Sequence, residues 1–256
     1  MPELVQLRPS QEDILTYRFG RMGISAVPGS GKTWTLSLLA SQIILSGVLE
    51  PDQEVLVVTF SNSAVDNFSQ RISNRLKEAG LLPGMGYRVR TLHGLAHDII
   101  KERPDLAGLN NDFAIIDERE TQMILANIAQ TYVNLHKDDF VSLLKEDLGE
   151  YQVGKAMRDY LPELIQSIAN AFIRSAKDRQ LDPQQLRFLL SKKQADLPLL
   201  EMGIQLYQDY QQALNYRGGV DFDDLIRLAL QCLHFDPQLV TNLRRRWPYI
   251  LEYEAH

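Results

Sequence analysis

Ala26-Val27-Pro28-Gly29-Ser30-Gly31-Lys32-Thr33 decides how this chain is read. The stretch fits the phosphate-binding loop pattern, with Ala26 where glycine usually stands and Gly31-Lys32-Thr33 closing it. In such a loop, backbone N–H groups and the start of the following helix surround a polyphosphate. The Lys32 ammonium reaches the β- and γ-phosphates, and the Thr33 hydroxyl ligates Mg²⁺. Nucleotide binding by Ala26 through Thr33 is therefore the expectation, with a plain glycine-rich turn as the competing reading. Arg21-Met22-Gly23-Ile24-Ser25 reads as a short strand before the loop, and Trp34 to Ser46 carries helical apolar spacing before Gly47. Strand, loop and helix in that order is the context such a loop needs.

Further out, the first hundred residues alternate strand and helix signals. Glu54-Val55-Leu56-Val57-Val58-Thr59-Phe60 is an apolar, β-branched run of strand length, as expected of a strand buried on both faces. Ser61-Asn62-Ser63 offers helix-capping side chains, and a helix runs to Ala79 before Gly80. Tyr87 to Thr91 reads as a strand and Leu95 to Glu102 as a short helix stopped by Pro104. Alternation of this kind predicts an α/β fold with a mostly parallel sheet covered by helices.

From Pro104 to Arg217 the pattern changes, and no strand is expected there. Leu161, Leu164, Ile165, Ile168, Ala169, Phe172 and Ile173 keep to one helical face, with Pro162 near the start. Asp182-Pro183 starts another helix, and Leu206, Tyr207 and Tyr210 mark a third that ends near Gly218-Gly219. Asp221 to His234 reads as helical and Trp247 to Leu251 as a final strand. The expected organisation is an α/β domain of residues 1–103 and 218–256 interrupted by an inserted all-helical subdomain, residues 104–217.

A chain of 256 residues with 45% hydrophobic and 23% charged residues has room for one large or two smaller domains with an ordinary core. Its formal net charge of −6 offers no global attraction to nucleic acid, so any such surface must be a local patch. The lone Cys232 excludes a disulfide framework and suits a reducing compartment. The N-terminus lacks the basic-then-apolar pattern of a secretory signal, and no apolar run is long enough to span a membrane. A cytoplasmic location without membrane association is expected.

Gln11, within Leu7-Arg8-Pro9-Ser10-Gln11-Glu12, carries an amide that donates and accepts at once and so matches the N6/N7 edge of adenine. Ser10 with Asp13 alternatively fits a helix capping box. Taken together, the motifs resemble those of the UvrD/Rep-like DNA helicases of superfamily 1. Leu7-x-Pro9-x-Gln11-x-x-Ile14 looks like that family's Q motif, and Ala26–Thr33 like its motif I. Val57-Val58-Thr59-Phe60-Ser61-Asn62-Ser63-Ala64 is similar to motif Ia, although Ser63 stands where lysine is usual. Arg90-Thr91-Leu92-His93-Gly94 is similar to motif Ib, and Val220-Asp221-Phe222-Asp223-Asp224-Leu225 to the signature ahead of motif II.

The resemblance implies a P-loop NTPase (RecA-like) domain and ATP-driven, 3′-to-5′ movement on single-stranded DNA, with ATP and Mg²⁺ as cofactors. By position it implies that Gln11 reads adenine, Lys32 binds the terminal phosphates and Thr33 holds Mg²⁺. It also implies that Thr59, Phe60, Asn62, Thr91 and His93 line the DNA path. Hydroxyls, amides and helix-start N–H groups grip phosphates without reading sequence, and an aromatic ring stacks on any base. Each has a plainer reading. Asn62 suits a helix cap, Phe60 a strand-end core residue and His93 a cap for Leu95-Ala96-His97. The Asp221, Asp223 and Asp224 carboxylates suit a helix N-terminus, and Arg244-Arg245-Arg246 a solvated helix end.

Where motif II should end a strand with Asp-Glu, the chain reads Ile250-Leu251-Glu252-Tyr253-Glu254-Ala255-His256. Tyr253 thus takes the place of the carboxylate that orients Mg²⁺, and a neutral phenol is a poor ligand for a hard cation. Glu254 stands where the family polarises the attacking water, so Lys32 and Glu254 are the catalytic candidates. Glu252 and Tyr253 point to opposite faces of a strand, so Glu252 replaces the carboxylate only after a register slip. The expectation is the ATP-binding N-terminal half of such a helicase, hydrolysing slowly, with an open sheet edge and a second RecA-like domain supplied by a separate chain. Two alternatives stand beside it: a non-catalytic remnant that binds single-stranded DNA or a partner, and a P-loop enzyme of another class such as a small-molecule kinase.

Overall fold

The computed structural model describes residues 7–82, 84–145, 149–192 and 197–253. In chain order the elements are α1 (Pro9–Leu15), α2 (Lys32–Leu45), β1 (Val55–Thr59), α3 (Asn62–Glu78), β2 (Tyr87–Thr91) and α4 (Leu92–Glu102). After a 3₁₀ turn come β3 (Ala114–Ile116), α5 (Glu118–Leu135), α6 (Lys137–Lys145) and α7 (Glu150–Lys155), which a π turn joins to α8 (Leu161–Asp178). The chain continues through α9 (Pro183–Ser191), α10 (Pro198–Tyr216), β4 (Gly219–Asp221), α11 (Phe222–Phe235), α12 (Pro237–Arg246) and β5 (Tyr249–Glu252). It forms two compact units, Met1–Ile99 with Cys232–His256, and Ile100–Gln231. The unit boundaries fall inside α4 and α11.

The first unit is built on a parallel sheet in the order β2-β1-β5. Every residue of the central strand β1 is buried, as its unbroken apolar run requires. Leu36, Leu39, Ala40 and Ile43 of α2 and Phe68, Ile72 and Leu76 of α3 pack with Val55, Val57, Val89 and Leu251. Their spacing of three and four residues is what lays one helical stripe on a sheet. Ser37 and Ser41, buried in α2, return their hydroxyls to the Thr33 and Ser37 carbonyls at 2.6 and 2.8 Å, so no donor is left unmet. Ser61 caps α3 by accepting from the Ala64 N–H at 3.2 Å.

Two expectations for this unit are corrected. Arg21–Ser25 is not a strand but an unpaired, exposed segment, with Met22 and Ile24 open to solvent. Five residues centred on Gly23 carry too little apolar surface to hold an isolated ladder. The first helix is capped around Arg8 rather than Ser10, because Gln11, not Asp13, folds back to accept from the Arg8 N–H at 3.0 Å.

The second unit packs α5, α8 and α10 around Ile124, Leu125, Ala129, Ile165, Ala169, Ile173, Leu206 and Tyr210. Asp182 caps α9 as its Asp-Pro start predicts, accepting from the Gln185 N–H at 2.8 Å. Leu164, placed on the apolar stripe of α8 by periodicity, is instead exposed. The expectation of no strand before Arg217 also fails, since Ala114–Ile116 pairs in parallel with Gly219–Asp221. Three residues are too short to display an alternating pattern. The pair forms because Gly219 lets Ile116 lie where a β-carbon would sit, only 2.7 Å from its side chain.

Close packing of α8 on α10 depends on Gly203, whose added β-carbon would lie 2.6 Å from the Phe172 ring. Gly203→Ala is expected to lower stability by about 1–3 kcal/mol through overpacking. Urea unfolding followed by far-ultraviolet circular dichroism measures this, and a loss below about 0.5 kcal/mol would show that the ring moves aside freely. No helix of the described residues is long and apolar enough to cross a membrane.

Candidate functional site

The loop Ala26–Thr33 is a backbone device. Gly29 and Gly31 adopt φ of 77° and 88°, a left-handed conformation that side chains resist. These two residues turn the chain so that α2 begins directly at Lys32. The Lys32 ammonium folds back over the loop, donating to the Ala26 carbonyl at 2.9 Å and the Val27 carbonyl at 3.4 Å. The Ser30 hydroxyl is buried and has no partner among the described residues. An orphan hydroxyl, an ammonium and a helix N-terminus converge there, and that donor set suits a phosphate. Thr33 stands second in α2.

Gln11 meets this loop from α1. Its amide nitrogen donates to the Thr35 hydroxyl at 3.1 Å while its oxygen accepts from the Arg8 N–H. A β-carbon on Gly31 would lie 3.3 Å from the same nitrogen. Both ends of the amide are thus engaged by the protein, which ties α1 to the start of α2.

The other sequence-derived residues gather at the carboxyl ends of β1 and β2, where ligands of open parallel sheets usually bind. Asn62 and Thr91 line one cleft of about 320 Å³, together with Val65, Val89, Arg90, Gly94, His97 and Asp98. Thr91 also caps α4, accepting from the Gly94 N–H at 3.0 Å. That displaces His93 from the capping role, because α4 already begins at Leu92. Phe60 is 56% exposed, so it is not a core residue. Thr59 is buried and its hydroxyl lacks a partner among the described residues. Thr59, Phe60 and His93 do not line the cleft.

Charges run beside this cleft in alternation. Arg90 Nε donates to Asp98 Oδ2 at 2.7 Å, and Arg88 lies 3.8 Å from the same oxygen. Arg88 in turn binds Glu54 at 2.8 Å, and the Trp247 indole N–H donates to Glu54 at 3.1 Å. Burial raises the Glu54 pKa, but the Arg88 and Trp247 hydrogen bonds outweigh it and hold the carboxyl below its ordinary range. No sequence signal singled out Asp98, which is simply one residue of an amphipathic helix.

Tyr253 follows β5 directly and donates its N–H to the Val58 carbonyl at 2.9 Å. Its ring packs edge-on against Phe68 of α3, with centroids 5.2 Å apart. Leu251 points into the same apolar layer, while Glu252 is exposed. The Tyr253 side chain is therefore half-buried against the apolar core. Glu254 lies outside the described residues.

In the second unit, the aspartates of the Asp221-Phe222-Asp223-Asp224-Leu225 signature have a use that sequence reading missed. Lys177 of α8 is buried and bridges Asp221 at 2.5 Å and Asp224 at 2.9 Å. The Tyr210 hydroxyl donates to Asp221 at 2.6 Å, and Gln211 and Arg227 bind Asp224 at 3.0 and 3.1 Å. Asp221 also caps α11, accepting from the Asp224 N–H at 2.9 Å. Burial alone would raise the Asp224 pKa, yet the charges of Lys177 and Arg227 hold it below the usual carboxylate range. Burial and the Asp221 charge push the Asp223 carboxyl up, and burial raises the Tyr210 phenol. Among the described residues no cluster of three or more histidine, cysteine or acidic side chains is arranged to hold a metal ion.

A parallel sheet flanked by helices, with a glycine-bent loop opening onto a helix start, defines the class. The UvrD/REP helicase N-terminal domain family matches residues 7–255, and the chain belongs to that family. It is 26% identical over 252 residues to a protein of Rickettsia felis called "Probable DNA helicase II homolog", covering 97% of this chain and 33% of that protein. It is also 26% identical over 251 residues to the "ATP-dependent DNA helicase UvrD1" of Mycobacterium tuberculosis, covering 97% and 28%. With the "ATP-dependent DNA helicase SRS2" of Saccharomyces cerevisiae it shares 24% over 240 residues, covering 89% and 18%. The chain thus spans about a third or less of the length of these relatives.

Proposed function

We propose that this chain is the ATP-binding N-terminal portion of a UvrD-like, 3′-to-5′ DNA helicase or translocase of the cytoplasm, acting on single-stranded DNA. The observation that carries the reading is the loop: Gly29 and Gly31 at positive φ, Lys32 opening α2, and an orphaned Ser30 hydroxyl. In this reading Ala26, Val27, Pro28, Gly29, Ser30 and Gly31 wrap the phosphates, Lys32 neutralises the terminal ones and Thr33 is a ligand for Mg²⁺. Bound Mg²⁺ supplies charge neutralisation for phosphoryl transfer. Gln11 reads adenine by exchanging its Thr35 and Arg8 partners for the base. Glu254 polarises the attacking water. Residues 1–103 and 218–256 form the RecA-like domain, and 104–217 the inserted subdomain. Thr59, Phe60, Asn62, Thr91 and His93 serve the DNA path, with Asn62 and Thr91 contacting phosphate from the shared cleft.

Hydrolysis by this chain alone is slow in this reading. Tyr253 offers no carboxylate and is packed on Phe68, and the charge-stabilising arginine belongs to a second RecA-like domain. The same Tyr253 packing favours a second reading, a non-catalytic single-strand- or partner-binding remnant.

Labelled single-stranded DNA titrated with and without ATP, alongside phosphate release, separates them. The first reading expects single-strand affinity that changes with ATP and a turnover barely above background. Affinity indifferent to ATP supports the remnant. A robust DNA-stimulated ATPase rate contradicts slow hydrolysis, and absence of any nucleotide binding overturns the proposal altogether.

A further inference from the structure

The cleft that holds Asn62 and Thr91 also holds a cation that is already spoken for. Arg90 is 38% exposed at its side chain and turned into the cleft, yet its Nε is bound to Asp98 at 2.7 Å. The same carboxylate oxygen lies 3.8 Å from Arg88. Asp98 lines the cleft as well, with its side chain 28% exposed. A carboxylate and a phosphate present the guanidinium with the same kind of acceptor pair. Asp98 thus occupies the position of a phosphate, while its own charge repels one.

We propose that Asp98 is an affinity-limiting residue of the cleft: it holds Arg90 in an internal ion pair that nucleic-acid phosphate must displace. The inference rests on the reading of this cleft as a single-strand path. In a chain with net charge −6, local cations supply the electrostatic grip, so masking one of them weakens that grip directly. A weak grip suits a surface that must release the strand as readily as it takes it. The pair is also partly open to water, so breaking it leaves no buried charge and the fold should tolerate the change.

The test uses the full chain and a fluorescent oligothymidylate, with anisotropy read across a potassium chloride series. One extra phosphate contact on a single strand changes the log–log salt slope by about 0.7, which is about fivefold in affinity near 0.1 M salt. Asp98→Asn is therefore expected to bind about fivefold more tightly, with a slope steeper by about 0.7. Arg90→Gln alone should change affinity by less than about twofold, yet in the Asp98→Asn background it should remove the whole gain. Circular dichroism melting checks that each variant is folded, and Asp98→Ser stands in if the asparagine variant is not.

Asn62→Ala and Thr91→Val report on the path itself. If they weaken binding while Asp98→Asn leaves affinity and slope unchanged or lower, the inference is overturned and the path survives. If no variant, Asp98→Asn included, binds a single strand, the proposed function falls and the inference with it.

Discussion

Lys177→Met is expected to destabilise the helical unit by about 3–5 kcal/mol, the usual cost of removing one partner from a buried ion pair. The substitution preserves side-chain length and apolar packing but leaves Asp221 and Asp224 buried without their shared cation. Arg227 and Gln211 still reach Asp224, and Tyr210 still reaches Asp221, so the loss should fall short of full unfolding in water. Both tryptophans, Trp34 and Trp247, lie in the other unit, so fluorescence is the wrong probe. Far-ultraviolet dichroism in urea and hydrogen exchange on peptides from α8 and α11 report on the right one. A loss below about 1 kcal/mol would mean that the network is open to water.

Acid sensitivity checks the same network with a defined sign. The Asp224 carboxyl is held below its ordinary value of 3.8, so its contribution is fully present above that value and is lost as the pH falls through the folded value. The Asp224 contribution should therefore be lost below about pH 4, and Lys177→Met should remove that acid-sensitive part of the curve.

Lys32→Ala is expected to weaken ATP binding by about 10- to 150-fold, with the fold intact. A hydrogen bond to a charged group contributes about 1.5–3 kcal/mol, and each 1.4 kcal/mol is tenfold in affinity. The ammonium donates to the Ala26 and Val27 carbonyls. Phosphate must outcompete two neutral acceptors, which a polyanion does readily. Lys32→Arg should recover little, because a planar fork does not fit where a compact ammonium closes the loop. Isothermal titration with Mg²⁺-ATP measures both variants. Affinity within twofold of the native chain would detach Lys32 from nucleotide and undermine the reading of the loop.

Legibility followed the length scale of the signal. β1 was readable because all five of its residues are buried and the run is unbroken. Helix α8 announced itself by its apolar stripe and Pro162, α3 and α9 by Ser61 and Asp182 at their starts, and α10 by Leu206, Tyr207 and Tyr210. The β3–β4 pair was not readable, since three residues carry no period and the deciding contact is Ile116 against the bare face of Gly219. Arg21–Ser25 failed in the opposite sense. Its composition suits a strand, but a strand exists only where a ladder partner lies alongside.

Charges were the least legible feature. Lys177 stands 44 residues before Asp221 and 47 before Asp224, and nothing in a helical lysine tells which carboxylates will meet it. Arg90 and Asp98 belong to a strand and the helix that follows, and only the turn at Thr91 brings them together.

The sequence by itself determined the parallel α/β character of the first unit, the amphipathic helix α8 and the family, because backbone conformation and apolar period are local properties that residue order carries. Only the tertiary structure decided that Tyr253 packs against Phe68, that Lys177 neutralises the Asp221 and Asp224 carboxylates, and that Asp98 shares a cleft with Asn62 and Thr91. Those outcomes depend on which faces of separate elements come to lie together. Packing sets that, and no run of neighbouring residues contains it.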